Sequence, residues 1–356
     1  MAQGWIYGIV VGGFLVVVLA VFALYRCFRR NKLAAADGDY KASLQSPQEN
    51  QTKVPIQSSP VDPPSTALFP ELVPFRIQHS DIQFLRQITR GQYGNTWYGQ
   101  YNNRPVAVKV SSPWDDYAFH MAKQIQVMAR IQSPNIVCFL GATWTSANDL
   151  SAVVEYMPGG SLRKLLDNPK VKLSWPVEKI NVALDIAKAL AYLHSLTPSL
   201  VIRELHSWKI LLTDTMVAKL SNFRLDQKYA VEPTMCCAIP LTERWIAPEV
   251  ILGEDFTEAP AVYSFGVILS EFDKREIPFG DIRSNAEVIS KIARGILKPA
   301  FRPTCPAPVR RVADACLQFD PSLRPSSAQV VEMLEQAKLA LNQPISDDVV
   351  EASEIV

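Results

Sequence analysis

The chain lacks the marks of a metalloprotein, a nucleic-acid binder or a disulfide-stapled domain. Its formal net charge is only +1 over 356 residues, so no global field argues for nucleic acid as a partner. It has six cysteines and four histidines. Cys27, Cys138, Cys236, Cys237, Cys305 and Cys316 show neither metal-ligand spacing nor a small secreted framework, and the histidines are scattered. A reduced, cytosolic main body is the simplest expectation. No internal repeat is present.

Charge is also missing from residues 4–25, GWIYGIVVGGFLVVVLAVFALY. A membrane-spanning helix needs about 20 apolar residues, and this run is long enough. Arg26, Arg29, Arg30 and Lys32 follow it and no charged side chain precedes it. A cleaved signal peptide needs a basic leader and a shorter apolar core, both absent here. The expectation is therefore a single-pass anchor in membrane lipid, with residues 1–3 outside and the rest in the cytoplasm. Gly4, Gly8 and Gly12 share one helix face and form a candidate seam for a homo- or heterodimer.

Residues 26–74 read as a basic juxtamembrane stretch and a proline-rich disordered linker. Residues 342–356 read as an acidic disordered tail. Between them, residues 75–341 carry the folded pattern. Strand candidates fall at 82–88, 93–101, 105–110, 137–144 and 152–156, with a helical stretch at 118–131. After Gly159-Gly160 the pattern turns helical, at 178–196, 262–272 and 327–341. A small β-rich lobe followed by a larger helical lobe is an α+β arrangement.

The motifs in this span resemble the protein kinase superfamily, closest to its tyrosine-kinase-like group. Thr89-Arg90-Gly91-Gln92-Tyr93-Gly94 is similar to the glycine-rich loop, and Val106-Ala107-Val108-Lys109 to the strand with the phosphate-pairing lysine. Glu155-Tyr156-Met157-Pro158-Gly159-Gly160 resembles the hinge. Ile202-Arg203-Glu204-Leu205-His206-Ser207-Trp208-Lys209 resembles the catalytic loop, and Ala247-Pro248-Glu249 the end of the activation segment. They occur in family order over roughly residues 80–340. The resemblance implies a two-lobed kinase-like fold after the single N-terminal helix. It also implies an ATP pocket formed by Gly91, Gly94, Ala107, Lys109, Val154, Glu155, Met157 and Leu211.

The chemistry-bearing positions depart from the family. The helix glutamate that pairs with Lys109 is Gln124. The base position is Glu204 in place of aspartate, and the lysine that steadies the γ-phosphate is His206. The metal positions are Asn222, within Asn222-Phe223-Arg224, and Lys209. Magnesium wants hard anionic oxygens, and these two changes add two positive charges, one from Asp to Asn and one from Asn to Lys. The aspartate that braces the catalytic loop is Ala261. Packing positions persist: Glu249 with Arg324, and the column Phe139, Met128, Phe223 and Ile202.

The expected protein is thus a pseudokinase, a scaffold or allosteric partner for other kinases or signalling proteins. It would bind ATP weakly or without magnesium, and no metal site is expected. The alternative is an active serine/threonine kinase in which Lys109 and Lys209 hold the phosphates and Glu204 is the base. Tyr229, Thr234 and Thr242 are candidate phosphosites in the activation loop.

Overall fold

The structure is a computed structural model, and it describes residues 68–343 except 92–93, 112–114, 147–148, 203, 222–224, 227–241 and 255–256. All described residues belong to one unit, Asp62–Val356.

The small lobe is a five-stranded antiparallel sheet. Its strands are β1 (Ile82–Gly91), β2 (Gly94–Tyr101), β3 (Arg104–Ser111), β4 (Phe139–Thr143) and β5 (Ser151–Glu155). The spatial order is β1-β2-β3-β5-β4. One helix, α1 (Asp115–Met128), packs against β3 and β5. Strand β3 explains why the sheet has two covered faces. Val106 and Val108 are fully buried with Ile77, Ile82 and Val153, while Ala107 between them faces an apolar cluster with Val154. Alternation with period two places those neighbours on opposite faces.

The large lobe is built on α3 (Ile180–Ser195) and α5 (Ala259–Lys274), which follow α2 (Leu162–Asp167) and the short α4 (Pro248–Ile251). The remaining helices are α6 (Asn285–Ala293), α7 (Ala307–Cys316) and α8 (Ser327–Asn342). Ile180, Ala183, Ala187, Leu190 and Leu193 of α3 are buried in one core with Phe265, Ile268, Leu269 and Leu334. Each fully buried Leu, Ile or Phe contributes roughly 1.5–3 kcal/mol, so this core dominates the lobe's stability. Local signals set the helix ends. Ser326 and Gln329 form a reciprocal capping box at the start of α8. Helix α5 stops at Arg275, which adopts φ 62°. The Arg275 guanidinium bonds the carbonyls of Leu165, Leu166, Asn168 and Val171, tying that end to α2.

Short strands carry the loops between the lobes: β6 (Gly160–Ser161), β7 (Val201–Ile202), β8 (Ile210–Leu212), β9 (Ala218–Leu220) and β10 (Leu225–Asp226). Strands β6, β8 and β9 form one small sheet, and β7 pairs with β10.

The expectation of a membrane-spanning helix is corrected. Among the described residues no helix is long and apolar enough to cross a membrane. The longest have 16 residues, about 24 Å at ~1.5 Å per residue, short of a hydrocarbon core of about 30 Å. Residues 4–25 lie outside the described residues, as do Gly4, Gly8, Gly12 and the acidic tail from 344. The described residues form the two-lobed α+β domain, and the single-pass localisation is withdrawn.

Candidate functional site

The site begins at the β1–β2 hairpin. Gly91 and Gly94 face each other across its tip. Gly94 has φ 132°, and a Cβ there would come 2.1 Å from the Val110 carbonyl oxygen. Glycine at 94 is thus demanded by the close approach of β2 to β3 as well as by its own backbone.

Ala107, Val154, Met157 and Leu211 come together in one apolar cluster. Ala107 and Val154 are register partners on β3 and β5. They cluster with buried Val137 and Met157 and half-buried Phe139, Tyr156 and Leu211. Glu155 follows Val154, and its side chain turns away from that cluster. Its carboxylate accepts from Lys219 at 2.8 and 2.9 Å and from the Cys138 amide at 2.7 Å. The hinge is thereby pinned to β9.

Lys109 is opposite Thr96 on β2. Burial pushes its ammonium down to about 8, as expected for a cation taken out of water. Gln124 is half-buried on α1. The acids of α1 are Asp115 and Asp116, at its first turn.

The catalytic-loop positions come together in an unexpected way. The Lys209 ammonium donates to Glu204 Oε2 at 2.9 Å, with side-chain exposures of 12 % and 25 %. A 3-10 turn, Ser207–Lys209, carries the lysine back over the carboxylate. The residue at the base position is therefore neutralised by the residue at the second metal position. These two groups lie beside Ile202, Leu205, Leu220 and Ser221. Ser221 holds the strand that follows: its amide and hydroxyl both donate to the Lys209 carbonyl, at 2.8 and 3.1 Å. Asn222, Phe223, Arg224 and Arg203 lie outside the described residues, with Tyr229, Thr234 and the Cys236–Cys237 pair. Thr242 is buried, keeping 9 % of its surface.

His206 is buried between two indoles, with ring centroids 5.7 Å from Trp208 and 6.0 Å from Trp245. Neither ring nitrogen has a hydrogen-bond partner among the described residues. Burial, then the nearby Lys209 charge, push it down to about 3. It is neutral at physiological pH and offers no cation to a phosphate.

The sequence reading missed what braces this loop. Ala261 on α5 is buried and apolar, so the expected aspartate brace has no counterpart there. Ten residues on, buried Glu271 takes the role. It accepts from Ser207 Oγ at 2.6 Å, Arg163 Nη1 at 2.6 Å and Trp245 Nε1 at 3.0 Å. Burial pushes the Glu271 carboxyl up, and the Ser207 bond and Arg163 charge act against that. Two buried acids, Glu271 and Asp273, in a largely apolar helix were the available signal. Glu249 and Arg324 do pair, with an Nη2–Oε2 distance of 2.8 Å. Arg324 also donates to the carbonyls of Gln318, Phe319 and Ala259.

With this geometry in hand, comparison with known proteins agrees. A family model described as protein tyrosine and serine/threonine kinase matches residues 82–334. The chain belongs to that kinase family. Among curated proteins it is similar to the probable serine/threonine-protein kinase drkC of Dictyostelium discoideum. The two are 33% identical over 271 residues, which is 73% of this chain and 35% of drkC. It is 32% identical to the probable serine/threonine-protein kinase drkB of the same organism, covering 73% of this chain and 37% of drkB. It is 30% identical to the serine/threonine-protein kinase CTR1 of Arabidopsis thaliana, covering 71% of this chain and 31% of CTR1. The chain thus spans about a third of the length of the relatives it matches. The family implies ATP as cofactor, normally with magnesium.

Proposed function

We propose that this chain is a pseudokinase that acts in signalling as a scaffold or allosteric partner of other kinases. The observation that carries the reading is the Glu204–Lys209 ion pair at 2.9 Å. In the kinase mechanism a carboxylate receives the substrate hydroxyl's proton and a neutral oxygen ligand helps hold magnesium. Here the carboxylate is engaged by an ammonium, and an ammonium cannot ligate a cation. A second charge brought to about 4 Å is repelled by about 1 kcal/mol in water and more in a cleft. These residues do not fit magnesium, and no step is routed through it. Lys109, Ala107, Val154, Met157 and Leu211 still support a nucleotide-shaped pocket in which ATP binds weakly or free of metal.

The alternative is an active serine/threonine kinase with Glu204 as base. Two things favour it: a carboxylate is retained at 204, and the relatives are named as kinases. Thermal shift with ATP, with and without magnesium, separates the two. The pseudokinase reading expects no magnesium-dependent gain. Transfer of γ-phosphate to a protein substrate, abolished by Lys109→Met and by Glu204→Gln, would overturn it in favour of the alternative.

A further inference from the structure

One row of side chains crosses the small-lobe sheet and ends at its β1 edge. Residues that pair across neighbouring strands project from the same face. Val154 on β5 pairs with Ala107 on β3, Ala107 with Tyr98 on β2, and Tyr98 with Arg86 on β1. The row therefore runs from the apolar cluster of Ala107 and Val154 to an exposed guanidinium.

A bulge puts Arg86 on that face. Along β1 the pairing steps from Phe84 with Gly99 straight to Arg86 with Tyr98, and Leu85 is passed over. An extra residue of this kind re-aims the side chains that follow it. In a regular strand Phe84 and Arg86 would share a face, because alternation has period two. Instead Phe84 stands edge-on to Trp97 in the cluster of Val106 and Val108, and Arg86 turns to the opposite face. There its Cζ lies 5.1 Å over the Tyr98 ring, and Nη2 donates to the Tyr156 hydroxyl at 3.4 Å. The two tyrosine rings meet edge-on, with centroids 4.6 Å apart. Tyr156 also packs against the cluster of Ala107, Val154 and Met157. It follows Glu155, whose carboxylate is held by Lys219. The hinge is thus fastened to β9 by one residue and to β1 and β2 by the next.

We propose that Arg86, Tyr98 and Tyr156 form a clasp at the outer end of this apolar cluster, and that the clasp strengthens the binding of a purine nucleoside lying on it. The proposal rests on the nucleotide pocket described under the proposed function. An apolar wall takes the flat base, whereas the glycine hairpin and Lys109 take phosphates, so the clasp acts on the base end of the ligand. Arg86 is a positioning residue: it holds the β1–β2 hairpin against the hinge, and its charge faces Tyr98 rather than a phosphate.

Titration calorimetry of the full chain with ATP and with adenosine, both in EDTA, tests this. Arg86→Ala weakens both ligands by the same factor, roughly two- to fivefold, which is what a partly exposed cation–π contact represents. Arg86→Lys keeps a cation over the ring and restores most of the affinity. Tyr156→Phe keeps both rings, loses only the hydroxyl and gives a smaller loss. Arg104→Ala, at an exposed position at the start of β3, binds both ligands as the wild type does. Equal affinities in the wild type and Arg86→Ala overturn the clasp and leave the pocket standing. A loss for ATP without a loss for adenosine also overturns it, because Arg86 would then act on phosphate. If the wild type takes up neither ligand, the pocket falls and the clasp with it.

Discussion

The two faces of the loop from Glu204 to Lys209 have been treated very differently. Its back face is held by a buried acid, Glu271, on which Ser207, a buried arginine and an indole N–H converge. Its front face has lost the expected groups: the base is tied to Lys209 and His206 is neutral and without a polar partner. The difference teaches that the shape of a kinase loop and its chemistry are held by separate residues. Shape depends on groups pointing into the helical lobe, where an unpaired charge is costly. Chemistry depends on groups pointing into the cleft, where substitution costs activity and little stability.

The largest expected effect breaks the back face. Glu271→Ala removes one of the two acids that pair with Arg163, the other being Asp167, and frees Ser207 and Trp245 Nε1 as well. Breaking a buried ion pair from one side costs roughly 3–5 kcal/mol. Urea unfolding should therefore show a large drop in midpoint at an unchanged slope. A loss under about 1 kcal/mol would mean that the loop is held some other way, and the contrast between faces would collapse.

The next effect rebuilds the front face. Lys209→Asn with Asn222→Asp returns an amide and a carboxylate to the metal positions and frees Glu204. This variant should gain thermal stability from ATP only when magnesium is present, where the wild type gains none. Saturation at roughly a hundredfold above Kd adds about 2.7 kcal/mol. If the wild type already shows that magnesium-dependent gain, the front face is not inert.

A smaller effect concerns Lys109, whose ammonium is pushed down to about 8 from 10.5 by burial. Below pH 8 the amine is charged in both folded and unfolded chains, and burial of that charge lowers stability. Between pH 8 and 10.5 the folded amine is neutral while the unfolded one still binds a proton, so stability rises with pH. Lys109→Met removes this cost. It should melt a few degrees above wild type at pH 7, with the gap closing toward pH 10.5. Parallel melting curves across that window would show that the amine is better solvated than its burial implies.

Much of this was readable in the sequence because packing is periodic. The alternating valines of β3 and the apolar runs of α3 and α5 announce their elements, and the landmark order places the cleft wall at Ala107, Val154, Met157 and Leu211. What was not readable depends on contacts between segments or on turn geometry. Lys209 and Glu204 meet because a 3-10 turn folds one over the other, and no periodic pattern encodes that. Glu271 reaches Ser207 across 64 residues, so the loss at Ala261 read as a lost anchor. Phe69 and Leu72 sat among prolines, and composition alone made them linker, yet both are buried. Their destination is a socket formed by α1 and the residues around β4 and β5, which only the fold assembles.

The smallest expected effect sharpens the comparison at its middle residue. His206 packs between Trp208 and Trp245 and carries two buried nitrogens without partners among the described residues. Leaving such groups unsatisfied costs about 1–3 kcal/mol each, part of which the edge contacts with Trp208 and Trp245 offset. Phenylalanine keeps an aromatic ring in the same slot and removes both polar atoms. His206→Phe should therefore stabilise the fold by about 1 kcal/mol, read as a higher urea midpoint, and leave any ATP-induced shift unchanged. If the ATP response falls instead, His206 takes part in holding the nucleotide, and the front face retains more of its chemistry than its neutral ring suggests.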